Sequence, residues 1–307
     1  MKKGVREELK RIAGDGVRFD EPMANHTSLG VGGPALAVVY PDSPERLGAT
    51  LAFLKREGIP CLPVGNGTNL IVRDGGYRGV IFCLKRLADI RIVSGPGNVT
   101  LLQAEAGASL AELVNRSAAA GLTGLEFCAG IPGTVGGAVT MNAGAYGHEI
   151  KDVLSELIMM DRMGKTSDWR RDRLQFFYRR FVPPIEDGLI MAATFRLAPG
   201  NPEEISNKIM EIKDLRRRKH PLEYRSAGSV FKNPPGQPAG RLIEETGLKG
   251  MRCGGAQISE KHGNFIVNRG GATAEDILAL IGIIQERVGR EKNVRLETEV
   301  VVVGEGP

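Results

Sequence analysis

Two glycine-rich loops constrain this chain most, because each emerges from an apolar, strand-like run and the pair needs one explanation. The first is Pro63-Val64-Gly65-Asn66-Gly67-Thr68-Asn69-Leu70. The second is Gly130-Ile131-Pro132-Gly133-Thr134-Val135-Gly136-Gly137-Ala138, which runs on through Met141-Asn142-Ala143-Gly144-Ala145-Tyr146-Gly147. Glycine lets consecutive amides turn toward one concavity, and such a nest binds phosphate through fixed partial positive charge. Neither loop has Rossmann or P-loop spacing: the first lacks Gly-x-x-Gly before a helix, and neither carries Gly-Lys-Ser/Thr. Taken singly, either loop also reads as a tight turn of an α/β domain. One long ligand carrying a diphosphate accounts for both.

A third segment is polar and reactive in composition: Tyr224-Arg225-Ser226-Ala227-Gly228-Ser229-Val230-Phe231-Lys232-Asn233-Pro234. Arg225, Ser229, Lys232 and Asn233 offer donors of different strength, and Gly228 leaves room for a ligand to approach the backbone. Ser-Ala-Gly-Ser is also a common turn composition, so a structural reading stands beside the chemical one.

At 307 residues the chain exceeds one average domain and predicts two or three modules. Its apolar runs are too short to span a bilayer, and Met1-Lys2-Lys3-Gly4 leads into charged residues and no signal sequence. The expectation is a cytoplasmic protein with no membrane or nucleic-acid partner. Cys61, Cys83, Cys128 and Cys253 lack Cys-x-x-Cys spacing and read as free thiols. The net charge of +5 is most concentrated in Arg216-Arg217-Arg218-Lys219-His220. Cations at a helix C-terminus are favoured by its dipole, and no aromatic residues interleave with them as in single-strand binders. His148, close to the second loop, reads as a surface or core residue.

Periodicity divides the chain into three segments: residues 1–88, 89–200 and 201–307. After a polar N-terminal arm, Ala35–Tyr40 reads as a strand, Ser43-Pro44 opens a helix with Leu47, Leu51 and Leu54 on one face, and Gly58 ends it. Strands Cys61–Val64 and Gly79–Leu84 complete the first lobe. The second alternates Ile90–Val93 and Val99–Ala106 with a capping-box helix marked by Ser109, Glu112 and Gly121; strands near 153–161, 165–169 and 189–197 follow, in an antiparallel arrangement. Past Pro199-Gly200-Asn201-Pro202, a helix is marked by Ile205, Ile209, Ile212 and Leu215, and a shorter one lies near 241–246. Phe265–Asn268 reads as a strand, a further helix turns Ile277, Ile281, Ile284 and Val288 inward, and Leu296–Val303 reads as the last strand. On that strand Glu297 and Glu299 share a face with the valines, so parity leaves open which carboxylate serves a cavity or an ion pair.

Seven segments in order, spanning nearly the whole chain, resemble the UDP-N-acetylenolpyruvoylglucosamine reductase family, flavoenzymes of peptidoglycan precursor synthesis. They are Asn25-His26-Thr27-Ser28-Leu29-Gly30-Val31-Gly32-Gly33-Pro34, the two glycine loops, Phe177-Tyr178-Arg179, Ala227 to Pro234, Gly254-Gly255-Ala256-Gln257-Ile258-Ser259-Glu260-Lys261-His262, and Leu296-Glu297-Thr298-Glu299-Val300. The resemblance implies an α+β fold: a two-lobed FAD-binding domain of the vanillyl-alcohol-oxidase (PCMH) type, residues 1–88 and 89–200, and a C-terminal α/β substrate domain, residues 201–307. It implies FAD bound non-covalently against Gly65, Asn66, Gly67, Thr68 and Asn69 and against Gly130, Ile131, Pro132, Gly133, Thr134, Gly136, Gly137 and Ala138, with contacts through Asn142, Ala143, Gly144, Ala145 and Tyr146. NADPH is the implied hydride donor. UDP-N-acetylenolpyruvoylglucosamine follows it into the same site, a ping-pong order.

By the same motifs Ser229 is the implied proton donor, and Arg179 and Glu299 stabilise charge developing on the substrate carboxylate, which selects Glu299 over Glu297. Tyr178, Lys232 and Asn233 are the implied substrate contacts. The chain departs from the pattern at Arg180-Phe181, where a small hydroxyl residue is expected two positions after Arg179, and an auxiliary hydrogen bond there is in doubt. The interval from Arg179 to Ser229 is too short for an extra tyrosine loop, so the shorter form of the family is implied, while Thr68 and Thr134 keep a hydroxyl where serine is frequent. Two other readings remain at this point: a different FAD-dependent oxidase of the same superfamily, and a non-catalytic nucleotide- or RNA-binding module.

Overall fold

The computed structural model describes residues 1–95 and 99–306. They form two compact units: one holds residues 1–19, 37–66, 79–95 and 99–214, the other 20–36, 67–78 and 215–306. This division differs from the continuous segments read from periodicity, because the second unit recruits early residues by long-range pairing. Val301–Val303 lies parallel to Leu70–Val72, and the Asp74 carboxylate accepts from the amides of Ala274 and Glu275 at 3.0 and 2.9 Å.

In the first unit a five-stranded antiparallel sheet runs in the order Thr166–Arg170, Leu154–Met160, Leu189–Arg196, Thr100–Glu105, Ile90–Ser94. The expected antiparallel later half is there. So is the first-lobe pair, with Cys61–Val64 parallel to Val80–Cys83. The helices of this unit are α1 (Lys3–Ala13), α2 (Pro44–Arg56), α3 (Leu110–Ala119), α4 (Val135–Thr140), α5 (Ile150–Val153) and most of α6 (Pro202–Lys219).

Helix α2 follows its sequence signals. The Ser43 hydroxyl accepts from the Arg46 amide at 3.2 Å and Pro44 occupies the first turn. Leu47, Leu51 and Leu54 are fully buried, and the helix ends with Ile59 bonded to the Leu54 carbonyl and Gly58 to that of Lys55, a Schellman pattern. The N-terminal arm is not irregular. It forms α1, which buries Leu9 and Ala13. Helix α3 also starts where expected, but its capping box does not form. Ser109 bridges Thr134 through the backbone, Leu110 donates to the Gly133 carbonyl at 3.1 Å, and Glu112 pairs with Arg116 at 2.9 Å. Long-range pairing with the second glycine loop has displaced the local cap.

The second unit centres on an antiparallel sheet in the order Arg225–Ser229, Phe265–Asn268, Ala256–Ile258, Arg252–Cys253, with helices α7 (Ala239–Glu245) and α8 (Ala274–Lys292). Ile277, Ile281, Ile284 and Val288 of α8 all point into the core, and Thr273 and Asp276 form a complete capping box. The expected strand Leu296–Val303 is shorter, with only Val301–Val303 in a ladder. Residues 296–300 are held by other bonds, and this matters for the site.

Candidate functional site

The second glycine loop is not all loop. Thr134 caps α4, accepting from the Gly137 amide at 3.4 Å, and Val135 and Gly136 donate to the carbonyls of Ala108 and Ala106 at 2.9 Å each. The backbone of Gly133–Gly136 is thereby fixed in shape. Gly65 lies against this cap: a Cβ there would collide with Thr134 Oγ1. At Gly67, with φ +60°, a Cβ would run into the His26 carbonyl. The contact around Gly65 is a close approach that only glycine fits, against a rigid loop whose Val135, Gly136 and Gly137 amides are already bonded within the protein.

Gly65→Ala is therefore expected to weaken flavin retention by about 10–100-fold, the equivalent of roughly 1–3 kcal/mol of overpacking. Thr134 is 3% exposed and cannot turn away without losing the α4 cap. Flavin content after dilution and gel filtration checks this, and a variant that keeps its full complement contradicts it.

The chain leaves the first unit within the first glycine loop, so Gly65 and Asn66 belong to one unit and Gly67, Thr68 and Asn69 to the other. In the second unit Gly67 and Asn69 act partly as scaffold. The Gly67 carbonyl accepts from Ser28 N at 3.0 Å, while the Asn69 side chain donates to the Glu299 carbonyl at 3.0 Å and the Asn69 carbonyl accepts from Val301 N at 3.0 Å.

Still in the first unit, Asn142 to Glu149 makes a tight hairpin in which Gly144–Ala145 pairs with His148–Glu149 across Tyr146-Gly147. Both turn residues have positive φ, +55° and +84°, as a type I′ turn requires. A second hairpin pairs Gln175–Phe177 with Arg180–Val182 across Tyr178-Arg179. Arg179 takes φ +56° there, and Asn142 takes +41°. Left-handed backbone at non-glycine residues concentrates at functional positions. The Arg179 guanidinium lies over the Tyr178 ring at 4.9 Å and donates through Nη2 to the Gly144 carbonyl at 2.8 Å. Phe181, where the resemblance expects a small hydroxyl residue, is buried and stacks on Phe176 at 4.8 Å. That position supplies packing under the hairpin.

In the second unit a register irregularity between Ser226 and Ser229 sets Ser229 at the strand end, opposite Phe265. The next residue joins the two carboxyl-terminal candidates: the Val230 carbonyl accepts from Glu299 N at 2.8 Å. Ser229 and Glu299 thus lie on either side of one backbone link. Asn264, 3% exposed, donates to the Phe231 carbonyl at 2.8 Å and accepts from Phe231 N at 2.9 Å. Sequence reasoning missed Asn264, and no periodic pattern marks it. Glu297 and Glu299 also separate, since Glu297 is exposed and pairs with Lys232 Nζ at 3.3 Å, whereas Glu299 is half-buried. The face-sharing expected from strand parity fails because residues 296–300 form no regular strand. Asn233 places Oδ1 on the Ala239 amide at 3.0 Å, at the start of α7. Cys61, Cys83 and Cys128 are buried, and burial pushes the Cys61 thiol up to about 11, far from nucleophilic.

No helix among the described residues is long and apolar enough to cross a membrane.

Residues 35–169 match the family model of an FAD binding domain, and residues 220–303 match that of the UDP-N-acetylenolpyruvoylglucosamine reductase C-terminal domain. The UDP-N-acetylenolpyruvoylglucosamine reductase of Syntrophus aciditrophicus is 51% identical over 301 residues, 98% of this chain and 96% of that protein. The one from Caldanaerobacter subterraneus is 44% identical over 300 residues, 97% of this chain and 98% of that protein. The crystal structure of the reductase from Thermus caldophilus superposes with a TM-score of 0.78 at 37% identity, covering 93% of this chain and 97% of that one. A Phl p 4 variant described as a glucose oxidase is similar in fold alone, at a TM-score of 0.50 and 15% identity over 65% of this chain and 45% of that one. The α+β architecture and the FAD-binding domain expected from the motifs are borne out. With near-complete coverage at these identities, the chain belongs to the UDP-N-acetylenolpyruvoylglucosamine reductase family of FAD-dependent oxidoreductases.

Proposed function

We propose that this chain, using NADPH and non-covalently held FAD, reduces the enolpyruvyl ether of UDP-N-acetylenolpyruvoylglucosamine to the lactyl ether of UDP-N-acetylmuramate in the cytoplasm. Gly65, Thr134 and the Gly130–Ala138 loop hold the cofactor, which supplies the hydride. The hydride adds to the vinyl CH₂, and the electron pair of the double bond moves onto the carbon beside the carboxylate, giving an enolate. Arg179 meets that spreading charge with a planar guanidinium, and Glu299 acts on the same group. Ser229 then gives its hydroxyl proton to the carbon, which completes the addition of one hydride and one proton across the double bond. Tyr178, Lys232 and Asn233 contact the substrate, and residues 1–88 and 89–200 act as flavin lobes, with 201–307 as the substrate domain.

The observation that carries this reading is the Glu299 N to Val230 O bond, which holds the acid candidate and the carboxylate candidate on one backbone link. Because NADPH leaves before the sugar nucleotide enters, initial rates measured against both substrates should give parallel double-reciprocal lines. Converging lines refute the shared site. An oxidase of the same superfamily would instead consume oxygen and ignore NADPH.

A further inference from the structure

Glu149, which has no role assigned above, and Asn142, implied above as a cofactor contact, sit in the first unit and form a network with Arg179. Asn142 is fully buried and its side chain makes three hydrogen bonds. Its Nδ2 donates to Glu149 Oε2 at 2.9 Å and to the Phe177 carbonyl at 3.0 Å, and its Oδ1 accepts from Lys151 N at 3.1 Å. An amide spent in this way ties the loop after the second glycine run to the strand that leads into Tyr178-Arg179. It is not a side chain waiting for a ligand.

Glu149 is held in turn. Oε2 takes the Asn142 amide and the Lys151 ammonium at 2.7 Å, while Oε1 faces Arg179 Nη1 at 4.0 Å. Both side chains of that last pair are below 20% exposed, so the attraction is screened less than on the surface. The hairpin leaves no slack: an ideal Cβ on Gly144 would stand 2.8 Å from Glu149 Cγ and 3.2 Å from Arg179 Nη1. The guanidinium is therefore bounded by the Gly144 carbonyl on Nη2, the Glu149 carboxylate beside Nη1 and the Tyr178 ring beneath.

We propose that Glu149, anchored by Asn142, is a positioning residue that orients the Arg179 guanidinium for the reduction of the enolpyruvyl group. Glu149 acts through Arg179, so the inference rests on the reading of Arg179 as the group that meets the developing charge. Misplacing a catalytic group by about 1 Å costs on the order of 10²-fold in rate, which sets the scale of the effect.

The test is single-turnover kinetics of the flavin-loaded enzyme in four forms: parent, Glu149→Gln, Arg179→Lys and the double variant. Glu149→Gln keeps the side-chain shape and removes the charge. It should retain FAD and its rate of reduction by NADPH, slow reoxidation by the enolpyruvyl substrate by about 10²-fold, and lower kcat more than it raises KM. In the Arg179→Lys background, where no fork remains to be oriented, the same change should cost less than about threefold. An equal loss in both backgrounds, or a Glu149→Gln enzyme that reoxidises at the parent rate, overturns the proposal. If Arg179→Lys and Arg179→Ala both reoxidise at the parent rate, the role of Arg179 itself fails, a separate result. Should Glu149→Gln not hold flavin, Glu149→Asp keeps the charge on a shorter stem and should show the same selective loss of reoxidation, and a parent-like rate there also overturns it.

Discussion

Ser229→Ala separates the two half-reactions: reduction of the flavin by NADPH stays within a few-fold of the parent, while reoxidation by the enolpyruvyl substrate slows by about 10²–10⁴, the usual worth of a general acid. The structure makes this a clean substitution. Ser229 is paired to Phe265 in the strand ladder, and Val230, the next residue, bonds to Glu299 and Asn264 through main-chain atoms. Removing the hydroxyl leaves that backbone in place. Stopped-flow traces at 450 nm, the flavin band, read each half-reaction alone. Equal slowing of both would mean that Ser229 shapes a common pocket and is not the proton donor.

Arg179→Ala and Glu299→Ala should each lower the reoxidation rate by about 10²–10³, the range for losing one group that stabilises a developing oxyanion. Binding of the sugar nucleotide should change far less, because the interaction matures only in the transition state. The two losses should not add. The double variant should be about as slow as the slower single one, so the coupling equals the smaller single loss, about 3–4 kcal/mol. Additive losses, or wild-type turnover in either single variant, would end the assignment. Glu297→Ala is the control, since Glu297 is exposed and pairs with Lys232. It should leave the rate of reoxidation within a few-fold of the parent.

What was legible in the sequence was local. Helices α2 and α8 announce themselves through capping residues and inward apolar spacing, and both form with those residues buried. Helix α1 was missed even though Val5, Leu9 and Ile12 recur at helical spacing, because charged residues dominate the segment. The Ser109–Glu112 box misled for a different reason. Its serine is paired with Thr134, 25 positions away in sequence, and no local pattern reports that. The same limit hid the interleaving of the units, which depends on pairings such as Leu70–Val72 with Val301–Val303.

At the site the motifs name residue types, and the structure adds what holds them. Asn69 and Asn142 read as cofactor contacts, yet each spends side-chain hydrogen bonds on the protein itself, one on the Glu299 carbonyl and the other on the strand before Tyr178-Arg179. Asn264 and Glu149 carried no signal in the sequence, since a buried asparagine and a hairpin glutamate become legible only through partners far along the chain, Phe231 for one and Arg179 for the other.

The central claim is that one flavin is reduced by NADPH and reoxidised by the enolpyruvyl sugar nucleotide through residues of this chain. Anaerobic titration of the yellow holoenzyme, followed at 450 nm, tests it directly. One equivalent of NADPH should bleach the flavin, and about one equivalent of UDP-N-acetylenolpyruvoylglucosamine should then restore the colour with no oxygen present. A flavin that NADPH does not bleach, or that regains its colour only when air is admitted, contradicts the claim.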